Sequence, residues 1–368
     1  MKSLKILTLN PGSTSTKIAV YSGELVLISE TIKHQSEELD QFDTIFDQME
    51  LRKHTILECL SAANIEIDSL DMVIGRGGLL KPISSGIYEV NEDMLYDLVH
   101  GDLQHASNLG ASIAHEIAKT STKGIKAYIA DPVVVDEMSE IAKLTGHPNF
   151  KRRSIFHALN HKAVARHYAG ITKKPYDQMN LIIAHMGGGV SVGAHQNGKV
   201  VDVNQALDGE GPVSPERSGS LPAGDLIRAA FSGKYSEAEM LKMVVGHGGM
   251  VAYLGTNDAY KIEQLAEKGD ESAIQFYELM AYQVSKEIGS LATIFAGNVD
   301  AIILTGGLAK SDYLVDKIKA RVSFLSKVEV FPGEDEMYAL AMNGIWLNQG
   351  ILQLQTYKGR GEKESVNG

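Results

Sequence analysis

Apolar and polar positions in the first part of the chain follow two different periods. Short apolar runs bounded by small or polar residues predict strands, and longer runs with a helical period predict helices. In chain order, this pattern predicts strands over residues 5–9, 17–21 and 24–33, a helix over 42–63, a strand over 71–75, a helix that starts at Asn91, a helix over 108–120, a strand over 126–130 and a helix over 132–144.

The same order of elements begins again in the middle of the chain. Residues 181–203 read as a strand, a glycine-rich turn, a strand, an Asn-Gly hairpin and a strand, which is the layout of the N-terminal stretch. The pattern then predicts a helix over 271–296, a strand over 301–305, a helix over 312–325, a strand over 327–331 and a last helix over about 336–357. The chain therefore reads as two copies of one β-β-β-α-β-α-β-α unit.

This duplication predicts an α/β fold of two similar domains that face an interdomain cleft. A hairpin at the start of each half, followed by parallel crossovers, gives each domain a mixed five-stranded sheet flanked by helices. We expect the first domain to cover residues 1–152 and, because the last helix can cross back, about 338–357. The second domain is expected over 153–337, and the polar stretch 358–368 is expected to be a flexible tail.

A glycine-rich turn follows a buried strand at three places, residues 10–17, 185–189 and 305–310. Glycine lets backbone N–H groups approach a ligand closely, and oriented backbone amides bind anions. The first turn is not a Walker A loop, because its GSTSTK returns directly into a strand instead of opening a helix. Any one of the turns could be a plain hairpin. Three at matching positions favour a site for a nucleoside polyphosphate.

Composition and charge narrow the classes of function. A hydrophobic fraction of 44% and a charged fraction of 22% are typical of a globular protein. The formal net charge of −11 argues against a nucleic-acid or anionic-membrane partner, so positive charge that binds an anion must be local. No apolar stretch approaches the roughly 20 residues of a membrane span, and the first residues hold too short an apolar run for a signal peptide. We expect a cytoplasmic protein.

Charged side chains lie at strand ends and in loops where such a site would form. Arg76 follows the strand 71–75, and Arg217 lies in a loop rich in Pro and Gly; either alone could be a surface residue or an ion-pair partner. His157 lies four residues before a second histidine, but the glutamate of the zinc metalloprotease pattern is missing. Asp131 ends a strand before a proline, where it could instead cap a helix.

Together these motifs resemble the acetate and butyrate kinase family of the actin-like ATPase superfamily. The run NPGSTSTK is similar to the family's phosphate turn, and GRGG, FHALNH, AHMGGGVSVGAH, SPERSG and GEDEMYALA occur in the family's order. Their details are most similar to butyrate kinases, including branched-chain fatty acid kinases. The resemblance implies direct, reversible in-line transfer of the γ-phosphoryl group of ATP to the carboxylate of butyrate, isobutyrate or a similar acid. It also implies Mg²⁺ as cofactor and at least a homodimer.

The resemblance implies roles for three charged side chains. Arg76 and Arg217 match the active-site arginines of the family, and the planar fork of a guanidinium suits a carboxylate or a phosphoryl group. His157 matches a histidine that donates a hydrogen bond to the transferring phosphoryl group. A general base is not needed, because an aliphatic acid with a pKa of about 4 to 5 is ionised at neutral pH.

Two acids are expected to hold the metal. Asp131 matches an aspartate in the magnesium and substrate region of the family, and it is expected to serve catalysis there as well. Glu336 resembles an acid associated with the metal, although Glu334 and Asp335 are so close that the register stays open. Mg²⁺ takes one or two protein carboxylates together with waters and phosphate oxygens, so this supply is sufficient.

The nucleotide is expected to contact the three turns and residues near them. The residues implied are Asn10, Ser13, Ser15, Lys17, His185, Gly187, Gly188, Gly189, Asp258, Gly306 and Gly307. The loop around Asp258 departs from acetate kinases, which carry an arginine two residues later, where this chain has Tyr260. Lys261 could compensate, so the contacts of this loop stay open.

The acid is expected to be longer than acetate. Acetate kinases place valines after the first active-site arginine, whereas Gly77 and Gly78 follow it here. If both line the pocket, they leave room for a longer acyl chain, of which each buried CH₂ gains about 0.8 kcal/mol. His105, which matches a family histidine, Phe156 and Pro212 are expected to complete the pocket.

Two other functions remain open from the sequence. One is an acetate or propionate kinase that accepts several chain lengths. The other is an actin-like or chaperone-like clamp that binds ATP to change shape, which the fold alone would permit. Such a clamp has no evident use for Arg76, His157 and Arg217.

Overall fold

The computed structural model describes residues 3–101 and 104–359. Within these ranges the chain forms two compact units. Unit 1 contains the residues up to Val135 and those from Asp335 onward, and unit 2 contains Asp136–Glu334. The domain boundaries expected from the sequence, after residue 152 and near residue 338, stay predictions. Residues 360–368, most of the expected tail, lie outside the described residues.

The described residues form twelve strands and thirteen α-helices, besides short 3-10 helices. The strands are β1 (Lys5–Pro11), β2 (Ser15–Ser22), β3 (Leu25–Lys33), β4 (Met72–Arg76), β5 (Ile87–Glu89), β6 (Lys126–Ala130), β7 (Asn180–Met186), β8 (Val190–Gln196), β9 (Lys199–Val203), β10 (Ala301–Gly306), β11 (Val328–Pro332) and β12 (Leu354–Gln355). The helices are α1 (Ser36–Leu39), α2 (Met49–Ala62), α3 (Glu92–His100), α4 (Leu109–Lys119), α5 (Glu140–Lys143), α6 (Ala158–Thr172), α7 (Ala223–Ala230), α8 (Glu237–Val244), α9 (Gly249–Leu254), α10 (Ala259–Glu267), α11 (Glu271–Ala292), α12 (Asp312–Val322) and α13 (Glu336–Asn348). In these two ranges no helix is both long and apolar enough to cross a bilayer.

Each unit contains one mixed sheet. The strand order is β12-β5-β6-β4-β1-β2-β3 in unit 1 and β11-β10-β7-β8-β9 in unit 2. Strand β1 pairs antiparallel with β2 and parallel with β4, as β7 pairs antiparallel with β8 and parallel with β10. Five strands of unit 1 thus repeat the order of the five in unit 2, and the predicted duplication is confirmed. Unit 1 adds β5 and β12, which have three and two residues and are too short for an alternating pattern to reveal.

Three helix predictions are wrong in extent. The helix expected over 42–63 begins only at Met49, because residues 45–48 form a 3-10 helix. The helix expected over 132–144 is reduced to α5, because residues 133–135 are three β-branched valines and Val135 forms a β-bridge with Ile83. Asp131 has a φ of 39°, so the chain leaves β6 in a left-handed conformation and Asp131 caps no helix. The last helix ends at Asn348 rather than near residue 357, and Gly350 with a φ of 73° turns the chain toward β12.

Helix packing fixes the strand ends from which the candidate loops begin. In unit 2, Phe276, Met280, Val284 and Ile288 recur every four residues on α11, and all four are buried against the sheet. In unit 1, α4 packs on strands β4 and β6 of the sheet. The start of α13 packs on residues of β2. Fully burying each such large apolar side chain contributes about 1.5–3 kcal/mol.

Candidate functional site

The first glycine-rich turn is a tight hairpin between β1 and β2. The strands extend further into the turn than the sequence pattern predicts, because Asn10 pairs with Lys17 and Pro11 with Thr16. The backbone N–H of Gly12 donates to the carbonyl of Ser15 at 2.7 Å. At the tip, Ser13 and Thr14 are exposed, as is Lys17 on β2. The turn therefore presents two hydroxyls and a cation to solvent.

Arg52 on α2 holds this hairpin from inside unit 1. Its side chain has no exposed surface. One guanidinium nitrogen, Nη1, donates to the carbonyls of Gly12 and Ser15 at 2.9 and 3.2 Å. The other, Nη2, donates to the carbonyl of Ser13 at 2.9 Å and to Oε1 of Gln48 at 2.9 Å. Burial lowers the pKa of Arg52 from its ordinary value, but a guanidinium stays protonated in proteins. Arg52 thus fixes the carbonyls of the turn.

The sequence analysis missed Arg52, although the helix period contains a signal for it. Arg52, Ile56 and Leu60 lie four residues apart on α2, and all three are buried. An arginine in line with two buried aliphatic residues faces the interior, where its charge needs several hydrogen-bond acceptors. Backbone carbonyls of a tight turn supply them.

Arg76, at the end of β4, lies beside two other predicted site residues of unit 1. Its Nη1 is 2.9 Å from Oε1 of Glu336 and 3.4 Å from Oδ1 of Asn10. The amide of Asn10 also donates to Oε2 of Glu336. Because 28% of the Arg76 side chain and 19% of the Glu336 side chain remain exposed, an anion from solvent can reach this group. We call these three residues the unit 1 cluster.

The three consecutive acids before and within α13 have three different environments. Asp335 caps the helix, because its Oδ1 accepts a hydrogen bond from the N–H of Tyr338 at 2.8 Å. Glu334 has Oε2 at 3.1 Å from Nε2 of His185, without the geometry of a hydrogen bond. Glu336 alone joins the unit 1 cluster. No group of three or more His, Cys, Asp or Glu able to hold a metal ion occurs in the described part of the chain.

Asp131 is a buried residue that holds a turn. Its side chain is 1% exposed, and its Oδ1 accepts hydrogen bonds from Oγ of Ser85 at 2.6 Å and from the N–H of Gly86 at 2.8 Å. The expected role of Asp131 in the magnesium and substrate region stays a prediction. The hydrogen bonds and the left-handed φ make this residue a conformational anchor.

Gly77 and Gly78 do not open space for an acyl chain. A Cβ on Gly77 would lie 2.5 Å from Cβ of Pro132, and one on Gly78 would lie 2.5 Å from Oδ1 of Asn108. The volume of the missing side chains is thus already filled by protein, so the expectation that these glycines enlarge the pocket is wrong. His105 precedes Asn108 by three residues, and its Nδ1 accepts from the N–H of Ser107. Burial and the charge of Arg76 lower the pKa of His105.

We expect Gly78→Ala to lower the free energy of unfolding by about 2 kcal/mol, as overpacking of a filled interior does. The added methyl group would be 2.6 Å from Cα of Asn108 as well as close to its side chain. Urea unfolding measures the effect. Gly146→Ala is the control, because a methyl group added there would meet no atom within 4 Å. Equal stability of Gly78→Ala and wild type would contradict the filled interior.

Two histidines predicted for the site lie together in unit 2. The rings of His157, just before α6, and His185, on β7, stack with centroids 3.9 Å apart and planes at 12°. Nδ1 of His157 is 2.9 Å from Oγ of Ser191, and Nδ1 of His185 is 2.9 Å from Oδ1 of Asn160. Nε2 of His185 is buried and has no hydrogen-bond partner among the described residues.

Arg217 lies against the second glycine-rich turn. A Cβ on Gly189 would be 2.0 Å from Nη1 of Arg217, so only glycine lets the guanidinium rest there. The Arg217 loop is tied to the turn because Oγ of Ser214 donates to the carbonyl of Gly188 at 2.7 Å, and the guanidinium donates to the carbonyl of Ala206. Burial lowers the pKa of Arg217, which nevertheless remains a cation. Unit 2 thus joins a guanidinium, a glycine turn and two histidines.

The third turn approaches the second one through Gly306. Its φ is 88°, and a Cβ there would lie 2.3 Å from the carbonyl oxygen of Met186. The N–H of Gly187 donates to the carbonyl of Gly189 at 2.9 Å, which closes the second turn. A Cβ on Gly307 would meet no atom within 4 Å, so this glycine faces open space.

The remaining predicted residues make structural contacts. Oδ1 of Asp258 accepts from the N–H of Lys261 at 3.0 Å and caps α10, and both side chains are exposed, like that of Tyr260. Phe156 is 2% exposed and meets the ring of His161 edge-on with centroids 5.1 Å apart. Pro212 is buried.

The chain is similar to known proteins in sequence and in fold. The model of the Acetokinase family matches residues 149–331. Over 355 residues, 96% of this chain and 99% of each relative, the chain is 54% identical to butyrate kinase 2 and 51% identical to butyrate kinase 1 of Clostridium acetobutylicum. The crystal structure of the acetate kinase of Porphyromonas gingivalis matches with a TM-score of 0.77 at 21% identity, over 94% of this chain and 100% of that chain. The last likeness shows a shared fold.

Proposed function

Because the chain belongs to the acetate and butyrate kinase family, we propose that it transfers the γ-phosphoryl group of ATP reversibly to butyrate or isobutyrate, giving an acyl phosphate and ADP. The chain is thus a phosphotransferase with a carboxyl group as acceptor, built on the actin-like ATPase fold. The observation that carries the choice of acid is the match of nearly the whole chain to two relatives named butyrate kinases.

The candidate residues supply what phosphoryl transfer to a carboxylate requires. The acceptor is already ionised at neutral pH, so the protein must align two anions and stabilise the charge on the transferring group. We assign this charge stabilisation to Arg76 and Arg217. His157 donates a hydrogen bond to a phosphoryl oxygen. The N–H groups of Gly188 and Gly189 bind the phosphates, in a turn closed by the N–H of Gly187.

Glu336 is the residue we propose as a protein ligand of Mg²⁺. One carboxylate fits this cation, because Mg²⁺ usually keeps several waters and binds nucleotide phosphate oxygens in addition to one or two carboxylates. The bound ion would neutralise phosphate charge. Asp131 is committed to the turn at Ser85 and Gly86, so we assign it the positioning of that turn.

We also propose that the protein is at least a homodimer. Apolar side chains on and beside α7 and α8 face solvent: Ile227, Phe231 and Leu241 are 58%, 88% and 54% exposed. Exposed apolar surface of this kind supports contact with a second copy. Sedimentation velocity at micromolar concentration tests it, since a single monomer peak would contradict the proposal. A cytoplasmic location stays a prediction.

The function is tested by trapping acyl phosphate as hydroxamate from ATP, acid and hydroxylamine. Because two relatives named butyrate kinases match nearly the whole chain, we expect kcat/KM for butyrate to exceed that for acetate by about 10- to 20-fold, the factor that corresponds to about 1.6 kcal/mol for two further buried methylenes. A series from acetate to valerate, with isobutyrate, defines the preferred acid. A tenfold preference for acetate would replace the proposal by an acetate or propionate kinase. ATP hydrolysis that ignores added acid would indicate the clamp.

A further inference from the structure

Four buried or partly buried side chains of unit 2 form a row of hydrogen-bond contacts that begins at His157. Nδ1 of His157 lies 2.9 Å from Oγ of Ser191, which lies 2.9 Å from Nε2 of His161. Nδ1 of His161 lies 3.2 Å from Nε2 of His195, whose Nδ1 lies 2.7 Å from the hydroxyl of Tyr176. We call Ser191, His161, His195 and Tyr176 the hydrogen-bond chain. Its first three members, Ser191, His161 and His195, have no exposed surface.

Regular structure holds the hydrogen-bond chain in place. His157 and His161 are one helical turn apart at the start of α6, and Ser191 and His195 share one face of β8 because they are four residues apart on a strand. The rings of His161 and His195 are nearly parallel, at 8°. On β8, Gly193 lies between Ser191 and His195, and a Cβ on Gly193 would be only 3.3 Å from the ring of His161. The strand thus has room for the ring.

The two inner histidines are neutral. Burial first, and then nearby positive charge including Lys162, lower the pKa of both His161 and His195 far below the usual value. Lys162 lies beside Glu137, with its Nζ 2.6 Å from Oε2 of that residue. A neutral imidazole has one N–H and one lone pair. Each ring can therefore donate on one side only and must accept on the other.

Because of this rule, the links of the hydrogen-bond chain can all donate in one direction or all in the opposite direction. In one, Tyr176 donates to His195, and every following link donates toward His157, whose Nδ1 accepts from Ser191. In the other, every link is reversed, and His157 carries its proton on Nδ1. A phenol, with a pKa near 10, is a far stronger proton donor than a neutral imidazole N–H. The hydroxyl of Tyr176 therefore favours the first direction.

We propose that the hydrogen-bond chain, polarised from Tyr176, fixes His157 in the tautomer that carries its proton on Nε2. This tautomer can donate a hydrogen bond to a phosphoryl oxygen, and the reversed one cannot do so with Nε2. Ser191, His161, His195 and Tyr176 are then positioning residues that act through His157. The consequence for catalysis rests on the proposed function, whereas the tautomer itself does not.

The direct test is ¹⁵N NMR of the whole protein labelled in its histidine rings, without substrates. Nitrogens that carry a proton resonate far from those that do not, and His157→Gln, His161→Gln and His195→Gln assign the signals. We expect all three rings to carry the proton on Nε2 and a lone pair on Nδ1. A proton on Nδ1 of any of the three would overturn the proposal, whether or not the protein phosphorylates butyrate.

Two variants test the consequence for turnover. Ser191→Ala removes the contact to His157, and Tyr176→Phe removes only the distant hydroxyl. We expect kcat to fall about tenfold and about threefold, respectively, with KM for both substrates unchanged, because a tenfold change corresponds to about 1.4 kcal/mol, within the range of one hydrogen bond. Tyr168→Phe, on α6 but outside the hydrogen-bond chain, should keep wild-type kcat. Wild-type kcat in both test variants would overturn the positioning role. Absence of acid-dependent turnover in wild type would instead contradict the proposed function.

Discussion

Replacing either Arg76 or Arg217 by alanine is expected to lower kcat for acyl phosphate formation by at least about 100-fold, as removal of a charge aimed at the transition state does. The two residues reach the reaction from different surroundings. Arg76 is held by Glu336 and Asn10, and Arg217 rests on Gly189 and is held by the carbonyl of Ala206. Because both guanidiniums keep their charge at every physiological pH, the loss should not depend on pH.

Folding of both variants should survive the substitution. Arg76→Ala leaves Glu336 partly exposed in the first turn of α13, where the helix dipole favours a carboxylate. Arg228→Ala is the matched control, because this arginine is 74% exposed and forms a surface ion pair with Asp225. Steady-state kinetics and thermal unfolding should be recorded for all three. Near-normal kcat in Arg76→Ala or Arg217→Ala would remove that residue from the mechanism.

Replacing Arg52 by leucine is expected to lower the free energy of unfolding by about 3–5 kcal/mol, the usual cost of removing one partner from a buried ionic group. Leucine leaves the carbonyls of Gly12, Ser13 and Ser15 without these donors. Each buried acceptor left without a partner costs about 1–3 kcal/mol. The hairpin should also loosen, so KM for ATP should rise while KM for the acid changes little.

Arg52→Lys separates charge from shape. A lysine retains the charge but has no planar fork to reach three carbonyls at once, so we expect a smaller loss of stability and a similar rise in KM for ATP. His54→Leu is the control on the same helix, because its side chain is 71% exposed. Urea unfolding and ATP titrations at saturating acid measure both effects. An unchanged KM for ATP in a folded Arg52→Lys variant would refute the role in the turn.

Much of the fold follows from local patterns. The Asn-Gly hairpin at Asn197 and Gly198, with φ values of 52° and 73°, and the alternating residues on either side predict β8 and β9 directly. The repeat then predicts the order of the other strands. The helix expected over 132–144 does not form at its start, because three valines there favour an extended backbone. This extended conformation also depends on the β-bridge to Ile83, which is distant in sequence.

The site is less accessible to sequence reasoning, because its geometry depends on residues far apart along the chain. The sequence does reveal the glycine-rich turns. In the structure, Gly189 and Gly306 occupy positions where a methyl group would clash with a guanidinium or a carbonyl. The contact of Asn10 with Glu336 joins residues 326 positions apart, and no spacing reveals it. For the same reason, the sequence could not show that Asn108 packs against Gly78 and fills the space that we expected an acyl chain to occupy.

Helix α13 gives unit 1 an unusual order of assembly. Ala19 and Tyr21 of β2 pack on Met337 and Ala341, so this apolar surface has no cover while the ribosome is still making unit 2, which lies between the two segments. At about 5–20 residues per second, synthesis of that intervening stretch takes on the order of 10–40 s. Throughout this interval the nascent first sheet exposes that apolar surface, and the later unit can fold before the earlier one is finished.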